Sequence, residues 1–213
     1  RFLIMSKKGK KFFVVWNGFT PGIYETWKEC QLQITGYSKA KYKGFPTYES
    51  AIKAFSEGPE NYWGKNIFFS SLSEEELKLI GKPIKNSMTV DASCQGIPGT
   101  MEYQGVDFFT GKIIFRKGPF LDSTNNIGEY LALVHALALM KANGDTRPIY
   151  SDSKIAIGWI KSKRHGTDHK LSELNKDSFE LLRRANKWLK ENTFENKILK
   201  WETKAWGENP ADF

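Results

Sequence analysis

The chain has 213 residues, 40% hydrophobic and 26% charged, with 32 Lys/Arg against 24 Asp/Glu for a formal net charge of +8. That length can bury one good core or two unequal ones, and no apolar run approaches the roughly 20 residues of a helical membrane span. Cys30 and Cys94 are too few and too far apart for a disulfide framework or a Cys-based zinc site, and no signal-like apolar core follows Arg1, so the expectation is a soluble protein of the reducing cytoplasm.

The charge is unevenly placed. Residues 1–56 hold ten Lys/Arg against three Asp/Glu, and residues 57–213 hold 22 against 21. A polyanion-binding module ahead of a nearly neutral domain is the simplest physical reading, because clustered cations neutralise phosphates and release counterions.

In chain order, residues 11–16 (KFFVVW) read as a strand, and Asn17-Gly18 through Pro21-Gly22 as a turn returning the chain through Ile23 and Tyr24. Thr26 and Glu29 form a capping box that opens a short helix ended by Gly36. Residues 42–45 are extended again, and Thr47 starts a second helix carrying Ala51, Ile52, Ala54 and Phe55. The result is a small ββαβα unit, expected over residues 5–56, whose size suits a binding module better than an enzyme. Residues 57–85, broken by Gly58-Pro59 and carrying one short helix after Ser73, read as a linker.

Residues 86–213 form the larger domain. Three strand-like runs, 88–93, 101–109 and 112–116, make an antiparallel meander. A helix apolar over most of its circumference follows to Met140, with Asn126 as its expected cap. Then come a strand (147–151), a helix (153–163), a long amphipathic helix (171–192) and a last strand (196–203). The fold class is therefore α/β with one mixed sheet, three antiparallel strands plus two parallel ones with flanking helices.

Acids stand where such a fold places ligands. Asp91 lies inside the first and most central strand, where Asp is disfavoured and has nothing to cap. Asp152 ends a strand just before a helix, where it serves either as an N-cap or at a site. Glu129 sits in the first turn of the apolar helix, either as the acid of a capping box with Asn126 or as a third ligand. Three converging carboxylates repel one another unless a hard cation lies between them, and oxygen ligands select Mg²⁺ or Mn²⁺. The polar loop with His165, Asp168 and His169 reads as solvated rather than metal-binding.

The motifs Val90-Asp91-Ala92-Ser93, Thr124-Asn125-Asn126-Ile127-Gly128-Glu129, Tyr150-Ser151-Asp152-Ser153 and Asn209-Pro210-Ala211-Asp212 resemble the four acidic motifs of the type 1 ribonucleases H, in family order. Phe12-Phe13-Val14-Val15, the run from Gly22 to Cys30 around Trp27, and Tyr42-Lys43 resemble the hybrid-binding domain that often precedes such enzymes, and a similar segment occurs in plant pararetrovirus inclusion proteins. The resemblance implies a ribonuclease H-like fold and cleavage of the RNA strand of RNA–DNA hybrids with two Mg²⁺ ions, Mn²⁺ substituting. It implies 5′-phosphate and 3′-hydroxyl products, and Asp91, Glu129, Asp152 and Asp212 as ligands. It places Cys94, Gly96, Asn125 and Asn126 on RNA 2′-hydroxyls, Thr124 and Thr203 on the DNA phosphate, and Phe13, Trp27, Tyr42 and Lys43 in the hybrid-binding surface.

The chain departs from many relatives in having no His in the loop before Asp212, so that Glu208 is the available substitute. Gly44 stands where a second basic residue is frequent. Lys161, Lys163 and Arg164 are the nearest remnant of a basic protrusion. The expected partner is an RNA–DNA hybrid, with double-stranded RNA also open to the N-terminal module, and no membrane or obligate protein partner is indicated. The rival readings are a catalytically impaired hybrid- or duplex-RNA-binding protein and a transposase-like member of the same broad fold.

Overall fold

A computed structural model describes residues 11–65 and 67–213, which divide into two compact units between Ile80 and Gly81. Residues 5–10 of the expected N-terminal domain lie outside the described residues.

In the first unit, β1 (Phe12–Asn17), β2 (Gly22–Tyr24) and β3 (Lys41–Phe45) form an antiparallel sheet in the order β2-β1-β3. The expected capping box is present: Thr26 accepts from the Glu29 amide at 3.2 Å and Glu29 returns to the Thr26 amide at 3.1 Å, opening α1 (Trp27–Ile34). Thr47 caps α2 (Tyr48–Glu57) in the same way, with Ser50 as its reciprocal partner. Val14, Trp16, Phe45, Ala51 and Ala54 make the core, and Trp16 Nε1 donates to the Ala54 carbonyl at 3.0 Å. Tyr62 is buried in this core and Phe69 packs against it, so the first part of the segment expected to be a linker belongs to the small unit. The reason is aromatic mass: Trp16, Phe45, Tyr62 and Phe69 form a cluster that three strands and two helices do not close unaided. After it, α3 (Glu74–Ile80) is opened by a capping box between Ser73 and Glu76.

In the second unit, β4 (Met88–Gly96), β5 (Gly99–Asp107), β6 (Ile113–Ser123), β7 (Ile149–Ser151) and β8 (Ile198–Lys200) form a mixed sheet ordered β6-β5-β4-β7-β8. The first three strands pair antiparallel, while β7 joins β4 and β8 joins β7 in parallel. β6 runs seven residues beyond the expected end at 116, with register shifts against β5 that keep it paired. The last strand is shorter than expected, because Thr203 already begins the short helix α7 (Thr203–Trp206).

Helix α4 (Asn125–Ala142) packs on β4 and β5, with α5 (Lys154–Lys161) and α6 (Lys176–Glu191) against its other faces. Its Ile127, Tyr130, Leu131, Leu133, Val134, Leu137 and Met140 are all buried, as the two apolar stripes require. Gly128 is where helix and sheet touch most closely. A Cβ there would meet the Ala92 Cβ at 2.6 Å and the Met101 sulfur at 2.8 Å. α6 begins later than expected: Asn175 takes the Ser172 amide at 2.8 Å and donates to the Lys170 carbonyl at 2.9 Å and to Asp122 at 3.0 Å, holding residues 170–175 in a turn. No helix among the described residues is long and apolar enough to cross a membrane.

Candidate metal centre and nucleic-acid interface

Three carboxylates meet where β4, β7 and α4 converge. Asp91 stands on the central strand with 7% of its surface exposed, and its Oδ1 accepts from the Ala92 amide at 2.8 Å. Glu129 follows Gly128, so the close helix–sheet approach carries its carboxylate towards β4. Asp152 follows β7. One oxygen from each of the three lies within 4.8 Å of the others.

Neither capping alternative holds for these acids. Thr124, not Asn126, caps α4, accepting from the Ile127 amide at 3.4 Å. Glu129 receives the Asn125 side-chain amide at 2.9 Å instead of reaching the Asn126 amide. Ser153 caps α5 through the Ala156 amide at 3.1 Å, which releases Asp152 from that duty. Asp152 Oδ1 is buried without a hydrogen-bond partner.

The electrostatics match the geometry. Burial pushes Asp91 up to about 7, with the charges of Asp152, Glu129 and Asp212 adding to the shift and the Ala92 amide opposing it. Burial likewise pushes Glu129 up to about 7, with Asp152 adding and both a Ser153 hydroxyl bond and the charge of Lys200 opposing. Acids desolvated and crowded in this way gain most from a cation, and an orphaned buried carboxylate oxygen is a ligand in waiting. Asp91, Glu129 and Asp152 can hold a metal ion, and their all-oxygen donor set suits a hard divalent one.

Asp212 and Glu208 are exposed and stand outside this group of three. Asp212 is nevertheless near enough for its charge to act on Asp91. Its segment is held by buried amides: Asn209 donates to the Val90 carbonyl at 2.8 Å and Gln104 to the Ala211 carbonyl at 2.9 Å. Sequence reasoning missed Gln104, Asn209, Ser153 and Lys200. Asn209 stood within a quoted motif, whereas Gln104 and Lys200 become visible only through sheet register, opposite Asp91 and beside Ser151 respectively.

Cys94 is half-buried, with Sγ 3.3 Å from the Gly96 carbonyl and 3.5 Å from the Ser123 carbonyl. It thereby joins the β4–β5 hairpin, where Gly96 has φ +110, to the start of α4 with Thr124, Asn125 and Asn126. Thr203 is the first residue of α7. His165 and His169 are not solvated as expected. His165 Nδ1 is buried, and His169 Nε2 lies 2.8 Å from the Asp122 carbonyl oxygen, where the turn before α6 folds over β6.

In the first unit, Trp27 lies between Phe13, at 5.5 Å between ring centroids, and Tyr42, at 5.7 Å. Trp27 is 44% and Tyr42 39% exposed, which makes an open aromatic face. Lys43 is not part of it. Successive strand residues point to opposite faces, and the Lys43 ammonium donates to the Tyr62 carbonyl at 3.0 Å and to the Lys65 carbonyl. Lys41 is likewise engaged, 3.3 Å from Glu60 and over the Trp63 ring.

Comparison with known proteins places these features. Residues 11–55 match a family model described as the ribonuclease H1 N-terminal domain. A ribonuclease H of Saccharomyces cerevisiae is 28% identical over 205 residues, 92% of this chain and 54% of the yeast protein, so the chain spans about half the length of that relative. A transactivator/viroplasmin protein of Cestrum yellow leaf curling virus is 38% identical over 52 residues, 24% of this chain and 10% of the viral protein. Among solved structures, RNase H1 from Halobacterium salinarum aligns with a TM-score of 0.35 at 22% identity, covering 54% of this chain and 83% of that one. The likeness first carried by four acidic motifs is thus matched by similarity to a ribonuclease H along nearly the whole chain and by an N-terminal segment of the ribonuclease H1 type.

Proposed function

We propose that this chain hydrolyses the RNA strand of RNA–DNA hybrids at the centre formed by Asp91, Glu129 and Asp152. The observation that carries this reading is the convergence of three carboxylates, one with an orphaned oxygen, in a chain similar to ribonuclease H. Asp91, Glu129, Asp152 and Asp212 would hold two Mg²⁺ ions, or Mn²⁺ in their place. When bound, such ions make water nucleophilic and stabilise charge on the leaving 3′ oxygen, which gives 5′-phosphate and 3′-hydroxyl ends.

The chain's own residues set the stage for that chemistry. Asn125 and Ser153 fix the Glu129 carboxylate, and the Ala92 amide fixes Asp91, so two ligands are oriented before a cation arrives. Cys94, Gly96, Asn125 and Asn126 line one rim and meet the 2′-hydroxyls that distinguish RNA from DNA. Thr124 and Thr203 meet the DNA phosphate, and Glu208 assists product release. Phe13, Trp27 and Tyr42 stack on the nucleic acid, with Lys43 reaching its backbone only by leaving its carbonyl partners. In this division the first unit, through Ile80, binds hybrid and residues 86–213 cleave. The two free cysteines, Cys30 and Cys94, support a cytoplasmic location.

The test is incubation of the full chain with strand-labelled RNA–DNA hybrid and with double-stranded RNA in Mg²⁺ or Mn²⁺. The RNA strand of the hybrid should be cut to 5′-phosphate fragments, and Asp152→Asn should abolish turnover while hybrid binding persists. Cleavage of the DNA strand, or none by the wild-type chain, would refute the proposal.

A further inference from the structure

Asp212 has to act at a buried acidic centre although it is exposed and lies in residues 207–213, which have no helix or strand to hold them. A fourth ligand on an unsecured segment would cost a cation most of its benefit, because ordering the segment would have to accompany binding. The structure solves this through the backbone. Asn209, 5% exposed, donates to the Val90 carbonyl, one residue before Asp91, and accepts from the Ala211 amide at 3.0 Å. Gln104, 3% exposed, stands on β5 directly opposite Asp91 in the register, and its Nε2 donates to the Ala211 carbonyl at 2.9 Å. Beyond Asp212, the Phe213 ring lies 4.2 Å from the Arg116 guanidinium, which is itself paired with Glu102 at 2.9 Å.

Gln104 differs from the other anchors. Its Oε1 is buried with no hydrogen-bond partner, so the side chain carries a penalty that an apolar residue of the same size would not. What the amide does is fasten the carbonyl that immediately precedes Asp212 to the strand position facing Asp91. Directly opposed strand residues keep their Cβ atoms about 5 Å apart on one face of the sheet, so this single bond fixes Asp212 with respect to Asp91. It uses none of the carboxylate oxygens of Asp212.

We infer that Gln104 is a positioning residue that sets the placement of Asp212 against Asp91 and so completes the site for the second cation. The inference rests on the nuclease reading, with its two cations, for its consequences in metal binding and turnover, but not for its effect on the segment. Asp212 supplies charge, and Gln104 supplies the distance at which that charge is useful. A loss of Gln104 therefore acts on the more weakly held cation and leaves hybrid affinity alone.

The experiment compares the full wild-type chain with Gln104→Leu, which removes both the donor and the orphaned acceptor, and with Gln104→Met, which keeps the side chain's length but loses the N–H. Three readouts are taken: hydrogen exchange of residues 207–213, calorimetric titration with Mn²⁺, and hybrid cleavage as a function of Mn²⁺. Both variants should show faster exchange confined to residues 207–213. The weaker Mn²⁺ site should lose about tenfold in affinity, the usual range for loss of a residue that orients a ligand. Cleavage should fall in kcat with an unchanged KM for hybrid, and excess Mn²⁺ should recover part of it. If the Leu variant fails to fold, Gln104→Met and Asn209→Ala carry the same comparison. Native exchange in residues 207–213, or loosened exchange with an unchanged Mn²⁺ titration, overturns the inference. A wild-type chain that cleaves no hybrid would sink the nuclease reading, while the exchange results would still decide the role of Gln104 in holding the segment.

Discussion

Asp152→Asn should make the metal-free protein more stable while abolishing its chemistry. In the folded chain Asp91 and Glu129 are pushed up to about 7, and the charge of Asp152 contributes to both shifts. A pair of unit charges 4.8 Å apart repels by about 3 kcal/mol at an effective dielectric of about 20. The Ala92 amide, the Asn125 amide and Lys200 offset part of this, so a net gain of about 1–2 kcal/mol on removing Asp152 is expected near pH 8, or several degrees in thermal midpoint. The pH dependence has a definite sign. Carboxylates raised in the folded state contribute stability that is complete below their unfolded values near 4 and is lost as pH rises through about 7. The wild-type chain in EDTA should therefore lose stability between about pH 5 and pH 8, and Mg²⁺ should restore it. In Asp152→Asn the pH slope and the Mg²⁺ response should both shrink. Thermal unfolding of the two proteins at both pH values, with EDTA or Mg²⁺, measures all four quantities. A variant less stable than wild type in EDTA near pH 8, or equally stabilised by Mg²⁺, would show that the acids do not form a strained cation site.

Arg147→Met should cost about 1–3 kcal/mol in denaturant unfolding, because Arg147 reaches Asp107 at 2.7 Å and Asp145 at 2.8 Å and its loss leaves the Asp107 carboxylate with only its Thr110 donors. The same pair makes a stability contribution that is present above about pH 4 and fades as pH falls through about 2, since Arg147 holds Asp107 down near 2. Gly128→Ala should destabilise by about 1–3 kcal/mol and depress cleavage together, as the new Cβ meets Ala92 and lifts the start of α4 from β4; an unchanged thermal midpoint would refute the close contact. Trp27→Ala should weaken hybrid binding by about 1–3 kcal/mol with no change in salt slope, measured by fluorescence titration across salt concentrations, because stacking releases no counterion.

Features governed by local chemistry were legible in the sequence. The capping box at Thr26, the short helix opened at Ser73 and the strand carrying Asp91 all follow from residues within a few positions of one another. The sheet with its three antiparallel and two parallel strands followed from element order and connection length. Errors arose where a distant residue decided the outcome. The start of α6 depends on Asp122, 53 positions from Asn175, and no periodicity can register that bond. At the α4 cap, three consecutive residues with capping side chains competed, and the helix took Thr124, leaving Asn125 to hold Glu129. The convergence of Asp91, Glu129 and Asp152 was expected from topology, yet Gln104 was invisible without the register that sets it across from Asp91.

The turn fastened to β3 also bears on colloidal behaviour. β3 is an outer strand, and outer strands expose unpaired backbone groups on which a second chain can extend a sheet. Here the strand is five residues long, carries two lysines and a glycine, and has residues 59–65 pinned alongside through Lys43 and through the Lys41–Glu60 pair. A newcomer strand would have to bury those ammonium groups or strip them from their acceptors. The β3 edge of the small module is thereby shielded from edge-to-edge pairing by the two lysines and the turn they hold.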